Sequence, residues 1–279
     1  MKEAMFYTQN EDGVQCQLCP KNCAIESSGV GMCGVRGEYN GKLYALSYAK
    51  LSAVQVDPVE KKPLAMFMPN TETFSVGSFG CNMDCPYCQN YAISQSMASG
   101  ADVTPQQMVA QCTLSGCNSI SYTYNEPTTQ YEFVYEAAQL AKEKGISNIL
   151  VTNGYINRQP LLKLLPFIDA VNVDIKSSRE DVYESVLRGS LKAALNTVRE
   201  AALSCHVEVT ALMAPQICDV GDVLLVAQML REIDPAIPLH ITRYHPCYKF
   251  TKPATSIDTM NEAEKVARTC LENVFLGNI

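Results

Sequence analysis

Three closely spaced cysteines, Cys81, Cys85 and Cys88, constrain this chain more than any other feature. Their Cys-x3-Cys-x2-Cys spacing lets three thiolates converge on one inorganic centre, whereas a closed site needs four ligands. The next cysteine, Cys112, lies more than twenty residues further on, so one metal vertex is left open. Structural zinc closes its shell, and the spacing therefore suits a 4Fe-4S cluster with one free iron better. Three of four zinc ligands, or simply reduced thiols, is the plainer alternative. Gly80 permits a tight backbone approach just ahead of the first thiol.

The loop follows an apolar run, Thr73 to Ser78, and from there the chain alternates short apolar runs with helical segments. Further strands are expected at Ser119 to Thr123, Asn148 to Thr152, Ala170 to Asp174, Val207 to Met213 and Leu239 to Tyr244. Helices are expected at Thr104 to Leu114, Gln130 to Lys144, Ser190 to Leu203, Asp222 to Ile233 and Asn261 to Glu272. Such alternation means parallel strands joined by right-handed crossovers. Six units fall short of an eightfold barrel, so the fold class is α/β, a partial (β/α)6 barrel with its functional residues at the C-terminal ends of the strands. The three-cysteine loop stands at such an end.

Residues 1 to 70 read differently and form a small cysteine-rich β module with a connector, leaving 71 to 279 as the core. Cys16, Cys19, Cys23 and Cys33 are spaced Cys-x2-Cys-x3-Cys-x9-Cys, enough thiolates to close around zinc or a second iron-sulfur cluster, or to remain free. Asn40-Gly41 between two strand-like runs predicts a tight hairpin. Asp57 to Pro63 reads as an extended charged connector, because two prolines in six residues oppose a helix. Its charges are either solvated or laid across the mouth of the site.

A net charge of -7 and the lack of any Lys or Arg run argue against a nucleic-acid footprint. No stretch approaches eighteen apolar residues and the N-terminus carries no apolar leader, so the expected setting is cytoplasmic, reducing and, for such a cluster, anaerobic. The scattered Cys112, Cys117, Cys205, Cys218, Cys247 and Cys270 read as small buried hydrophobes, with Cys247 set apart by its position beside His245.

Polar residues gather where the strands end. The second predicted strand runs into Asn125-Glu126-Pro127, the third into Thr152-Asn153-Gly154, and the fourth into Asn172-Val173-Asp174-Ile175-Lys176, whose alternation puts Asn172, Asp174 and Lys176 on one side. Unpaired burial of Asp174 and Lys176 would cost several kcal/mol, so they pair with each other or bind a polar ligand. For Glu126, helix capping is the competing role. The last predicted strand leads to His245.

Taken together, these segments resemble the AmmeMemoRadiSam-system radical S-adenosylmethionine (SAM) enzymes, relatives of pyruvate formate-lyase activating enzyme. The resemblance rests on Cys33-Gly34-Val35-Arg36, Asp57 to Leu64, Cys88 to Ser94, Tyr122 to Pro127, Val151 to Tyr155 and Leu276-Gly277-Asn278, besides the cluster loop with its aromatic Tyr87. It implies that SAM chelates the open iron and is reductively cleaved to a 5'-deoxyadenosyl radical, which abstracts hydrogen from a substrate. It further implies SAM contacts from Tyr87, Asn125, Glu126, Thr152, Asn153, Asp174, Lys176 and His245, and an electron donor such as flavodoxin or ferredoxin. Tyr124 and Asn125 replace the glycines, and Val151 an aspartate, that the resemblance would supply. Three functions follow: a radical SAM oxidoreductase acting on a small-molecule or protein substrate, a glycyl-radical activase, or a noncatalytic metal-binding scaffold.

Overall fold

The computed structural model describes residues 1–96 and 99–279. Its centre is one eight-stranded sheet: β1 (Ala53–Pro58), β2 (Glu72–Gly77), β3 (Ser119–Tyr122), β4 (Ser147–Thr152), β5 (Ala170–Asp174), β6 (His206–Met213), β7 (Leu239–Arg243) and β8 (Val274–Gly277). The spatial order is the chain order, with β2 to β8 parallel and β1 antiparallel along the β2 edge. Successive parallel neighbours joined by helical crossovers make the partial barrel expected of the sequence.

Outside the sheet pack α1 (Pro105–Ser115), α2 (Tyr131–Glu143), α3 (Arg158–Leu164), α4 (Leu191–Ala202), α5 (Val220–Ile233) and α6 (Ile257–Ala267). Their ends are set by local chemistry. Thr104 and Gln107 cap α1 reciprocally, Pro105 opens it, and Gly116 closes it at φ 79°. Asp219 and Asp222 form the same box at α5. Ser256 caps α6, accepting from the Thr259 N–H at 3.1 Å, so this helix begins and ends earlier than its apolar pattern predicts. The short α3 lies outside the sequence-based expectation altogether.

All six predicted strands are present, and the sheet has two more at its edges. Pro58 at the end of β1 is compatible only with an edge. The expected connector at Asp57 is therefore the close of a strand, followed by a helical turn at Val59–Lys61. The division at residue 70 falls between two strands that are hydrogen-bonded to each other, so the core sheet extends into the N-terminal part.

Ahead of β1 lie two small antiparallel sheets, Tyr7–Asn10 with Gly13–Cys16 and Ala24–Glu26, and Lys2–Glu3 with Lys42–Ala45 and Arg36–Tyr39. The predicted hairpin turns at Asn40 and Gly41, both at positive φ (50° and 75°), the backbone of a type I′ turn. This layer is pinned to the barrel by buried Arg36, whose Nη1 donates to both oxygens of Glu132 on α2 at 3.1 Å. Asn157 holds it from a second side, its amide donating to the Gln17 carbonyl at 2.7 Å. Among the described residues, no helix is long and apolar enough to cross a membrane.

Candidate active site

A cleft of about 1180 Å³ opens at the C-terminal ends of the parallel strands. The loop after β2 brings Cys81, Cys85 and Cys88 to its wall, and no other cysteine of the described residues lines it. All three are free thiols. The loop is held from several directions. Asn125 Oδ1 accepts from the Ser78 N–H and its Nδ2 donates to the Gly80 carbonyl, both at 2.9 Å. Asn82 donates to the Tyr155 carbonyl at 2.7 Å and accepts from Asn153 at 2.9 Å. Gly80, at φ 85°, lets Cys33 and Val35 pass so closely that a Cβ there would lie 2.6 Å from the Cys33 carbonyl.

Glu126 is buried at the tip of β3. Its Oε1 accepts from the Thr128 N–H, the Thr128 hydroxyl and the Thr152 hydroxyl (3.0, 2.6 and 2.8 Å), and its Oε2 from the Asn153 N–H at 2.8 Å. Capping and rim placement thus coexist: Oε1 caps the turn at Pro127–Gln130 while the carboxylate lines the cleft. Burial raises its pKa, against the pull of those donors. Asp174 and Lys176 pair with each other at 3.0 Å, one of the two outcomes open to them. Burial opposes the Lys176 ammonium, but the Asp174 carboxylate and the nearby Cys85 thiol hold it well above the ordinary lysine range. Burial pushes the Cys85 thiol up to about 11, with Lys176 opposing.

Tyr87, Asn125, Glu126, Thr152, Asn153, Asp174 and Lys176 line this one cleft with the three cysteines. Tyr87 is buried with its hydroxyl unpartnered. Asn125 also braces the cysteine loop from the cleft wall, through its bonds to the Ser78 and Gly80 backbone. His245 is exposed, 3.4 Å from the Asn278 carbonyl and outside the cleft lining, because Tyr244 turns inward to bond the Phe250 carbonyl and sends its neighbour out. The histidine that does line the cleft is His240, held by buried Glu208 at 2.6 Å.

The charged segment expected at Asp57 to Pro63 also lines the cleft, where Lys62 and Tyr124 both donate to Asp57 (2.8 and 2.6 Å). Burial would raise the Asp57 pKa, but these donors hold it well below the carboxylate range. The charged segment lies over the mouth, the second of its two open roles. Cys247 donates to the Cys88 carbonyl at 3.6 Å, which places this scattered cysteine against the cluster loop.

Cys16, Cys19, Cys23 and Cys33 line a separate small cavity behind the loop, with Asn82 between the two sites. Among the described residues no three Cys, His, Asp or Glu side chains close to the spacing of a single bound ion. A cubane sets its thiolates wider than a single ion does.

The sequence model of the Radical SAM superfamily matches residues 75–215, half of the chain and the part that builds this rim. The chain belongs to the radical SAM superfamily. It is 41% identical over 288 residues to an uncharacterized protein of Methanocaldococcus jannaschii, a match spanning 100% of this chain and 86% of that one. It is 26% identical over 191 residues to a pyruvate formate-lyase-activating enzyme of Streptococcus mutans, covering 63% and 73%. Among solved structures, a radical SAM methyltransferase from Sphaerobacter thermophilus superposes with a TM-score of 0.58 at 18% identity over 76% of this chain and 67% of that one. SuiB of Streptococcus suis superposes with a TM-score of 0.59 at 13% identity, covering 75% and 50%. The chain is thus an enzyme of radical SAM fold, and membership implies a 4Fe-4S cluster and SAM. The residues fit both: three thiols on one wall, a large cleft before them, and an ammonium beside Cys85 to meet thiolate charge.

Proposed function

We propose that this radical SAM enzyme holds its cluster on Cys81, Cys85 and Cys88 and binds SAM across the strand tips to abstract hydrogen from a substrate. The observation that carries the reading is the sharing of one cleft by three thiols, the Glu126 carboxylate and the Asp174–Lys176 pair. Bound together, cluster and SAM supply a 5'-deoxyadenosyl radical once the cluster is reduced. The chain's task is positioning and exclusion. Glu126, fixed by Thr128, Thr152 and Asn153, offers a preset anionic edge to an ammonium. Asp174 and Lys176 offer one acceptor and one cation at the tip of β5, and Tyr87 a buried aromatic face. No side chain is required as a general base. An external one-electron donor of the flavodoxin or ferredoxin kind, a cytoplasmic setting, and a second centre of zinc or an iron-sulfur cluster at Cys16, Cys19, Cys23 and Cys33 complete the proposal.

Anaerobic reconstitution with iron and sulfide, followed by dithionite and SAM, tests it. Formation of 5'-deoxyadenosine without added substrate, and its loss in Cys85→Ala, is the expected result; unchanged product in that variant overturns the assignment. A narrower reading is supported by the relative named as a pyruvate formate-lyase-activating enzyme: the substrate would then be a backbone glycine of a large partner. Electron paramagnetic resonance after incubation with a candidate glycyl-radical protein separates the two, a glycyl doublet favouring activation and a silent partner favouring another substrate.

A further inference from the structure

The four N-terminal cysteines share their cavity of about 20 Å³ with Arg36. They come from three separate pieces of chain: Cys16 ends a strand, Cys19 and Cys23 bracket a turn, and Cys33 lies just before the next strand. Backbone bonds hold these pieces together. The Cys16 N–H donates to the Cys23 carbonyl at 3.0 Å, the Asn22 N–H to the Cys19 carbonyl at 3.0 Å, and the Gly31 N–H to the Arg36 carbonyl at 2.8 Å. Although they line one small space, the four form no disulfide.

Arg36 is 1% exposed. Its Nη1 is satisfied by Glu132 and its Nη2 donates to the Met5 carbonyl at 2.6 Å, but its Nε has no partner. A buried guanidinium donor without an acceptor is rare and calls for a group not yet in place. The wall around it offers the four thiols and apolar side chains, with Lys21, Asn82 and Thr129 as its other polar members, and none of them accepts from Nε. Zn²⁺ with four thiolates carries a net charge of about -2, and so does an oxidised 4Fe-4S cluster with four. Glu132 balances the Arg36 cation, and Lys21 brings a second cation to the same wall. Either centre is a dianion whose sulfurs need N–H donors.

We propose that Cys16, Cys19, Cys23 and Cys33 bind a dianionic tetrathiolate centre and that the Arg36 Nε–H donates to one of its sulfurs. The inference rests on the reading of these cysteines as a second centre and deepens it by assigning Arg36 as its positioning residue. Neighbouring contacts join the four-cysteine cavity to the radical site. Cys33 and Val35 pass against Gly80, while Asn82 faces the four-cysteine cavity and holds Asn153 and the Tyr155 carbonyl on the other side.

The test uses the full chain carrying Cys85→Ala, which removes the radical-site cluster and keeps this result independent of SAM cleavage. Protein purified anaerobically is assayed for zinc, iron and sulfide. About one zinc, or about four iron with four sulfide, per chain supports the centre and identifies which it is; no metal on purification or after loading with either overturns it. Adding Arg36→Lys keeps a cation opposite Glu132 but removes Nε–H. The expected result is a 10–100-fold loss of affinity in chelator competition, as for other outer-shell donors, and equal affinity overturns the role of Arg36. Should that variant not fold, the parent loaded with ¹¹³Cd gives a direct reading: scalar coupling between the Arg36 Nε proton and cadmium supports the hydrogen bond, and its absence in a loaded sample refutes it.

Discussion

Cys85 and Cys112 show how differently two buried cysteines behave. Cys85 stands on the cleft wall beside Lys176, whereas the fully buried Cys112 on α1 directs its thiol at the Cys117 and Ser119 carbonyls, 3.5 and 3.7 Å away. Cys112→Ala is therefore expected to cost about 1 kcal/mol in chemical denaturation and to leave iron content and deoxyadenosine formation near wild type. Gly80→Ala, by contrast, should lower stability by about 2–3 kcal/mol and reduce the iron retained after reconstitution. It combines a left-handed φ with a contact 2.6 Å from the Cys33 carbonyl. Paired melting and iron assays check both. Residue roles were legible where spacing or charge forces them: three thiols in one loop, or Asp174 and Lys176 on one side of a strand. They were illegible where a neighbour decides. Resemblance put His245 at the rim, but Tyr244 turns inward and His245 stands exposed outside the cleft lining.

Among the elements, β6 is the one whose burial is least like a simple core strand, because it carries Glu208 with no exposed surface. That carboxylate accepts from His206 and His240 (2.9 and 2.6 Å) and from the Ala65 and Met66 N–H groups (2.9 and 2.8 Å). It thereby ties the segment after β1 to the far side of the sheet. Burial alone would raise its pKa, but these partners lower it from 4.5 to about 2. A depressed carboxylate stabilises the fold above its unfolded value and loses that contribution as pH falls toward the folded value. The loss should run from about pH 5 to about pH 2 and reach about 3 kcal/mol. Urea unfolding across this range should show a steeper acid loss for wild type than for Glu208→Gln; parallel curves would refute the assignment. None of this was visible in sequence. Periodicity found the six interior strands, since continuous apolar runs mark a sheet covered on both faces. The edge strands β1 and β8 lack that signature: β1 is largely exposed and ends in proline.

For the whole molecule, the question is whether the N-terminal layer is an appendage or part of one cooperative unit. The sheet crosses the expected division through β1 and β2. The Arg36–Glu132 pair, with side-chain exposures of 2% and 1%, lies between the layer and α2. Such a pair adds little compared with apolar packing, yet removing one partner strands the other charge. Glu132→Ala should therefore destabilise the chain by about 3–5 kcal/mol, since it also frees the Met5 N–H that Glu132 accepts at 2.7 Å. The more telling expectation concerns cooperativity. If the layer and barrel fold as one, hydrogen exchange at Gly13–Cys16 and at β4 should shift together to a lower midpoint in the variant. If Gly13–Cys16 instead melts first while β4 keeps its wild-type midpoint, the layer is a separable module and the contact between the two cysteine sites cannot be what holds the cluster loop in place.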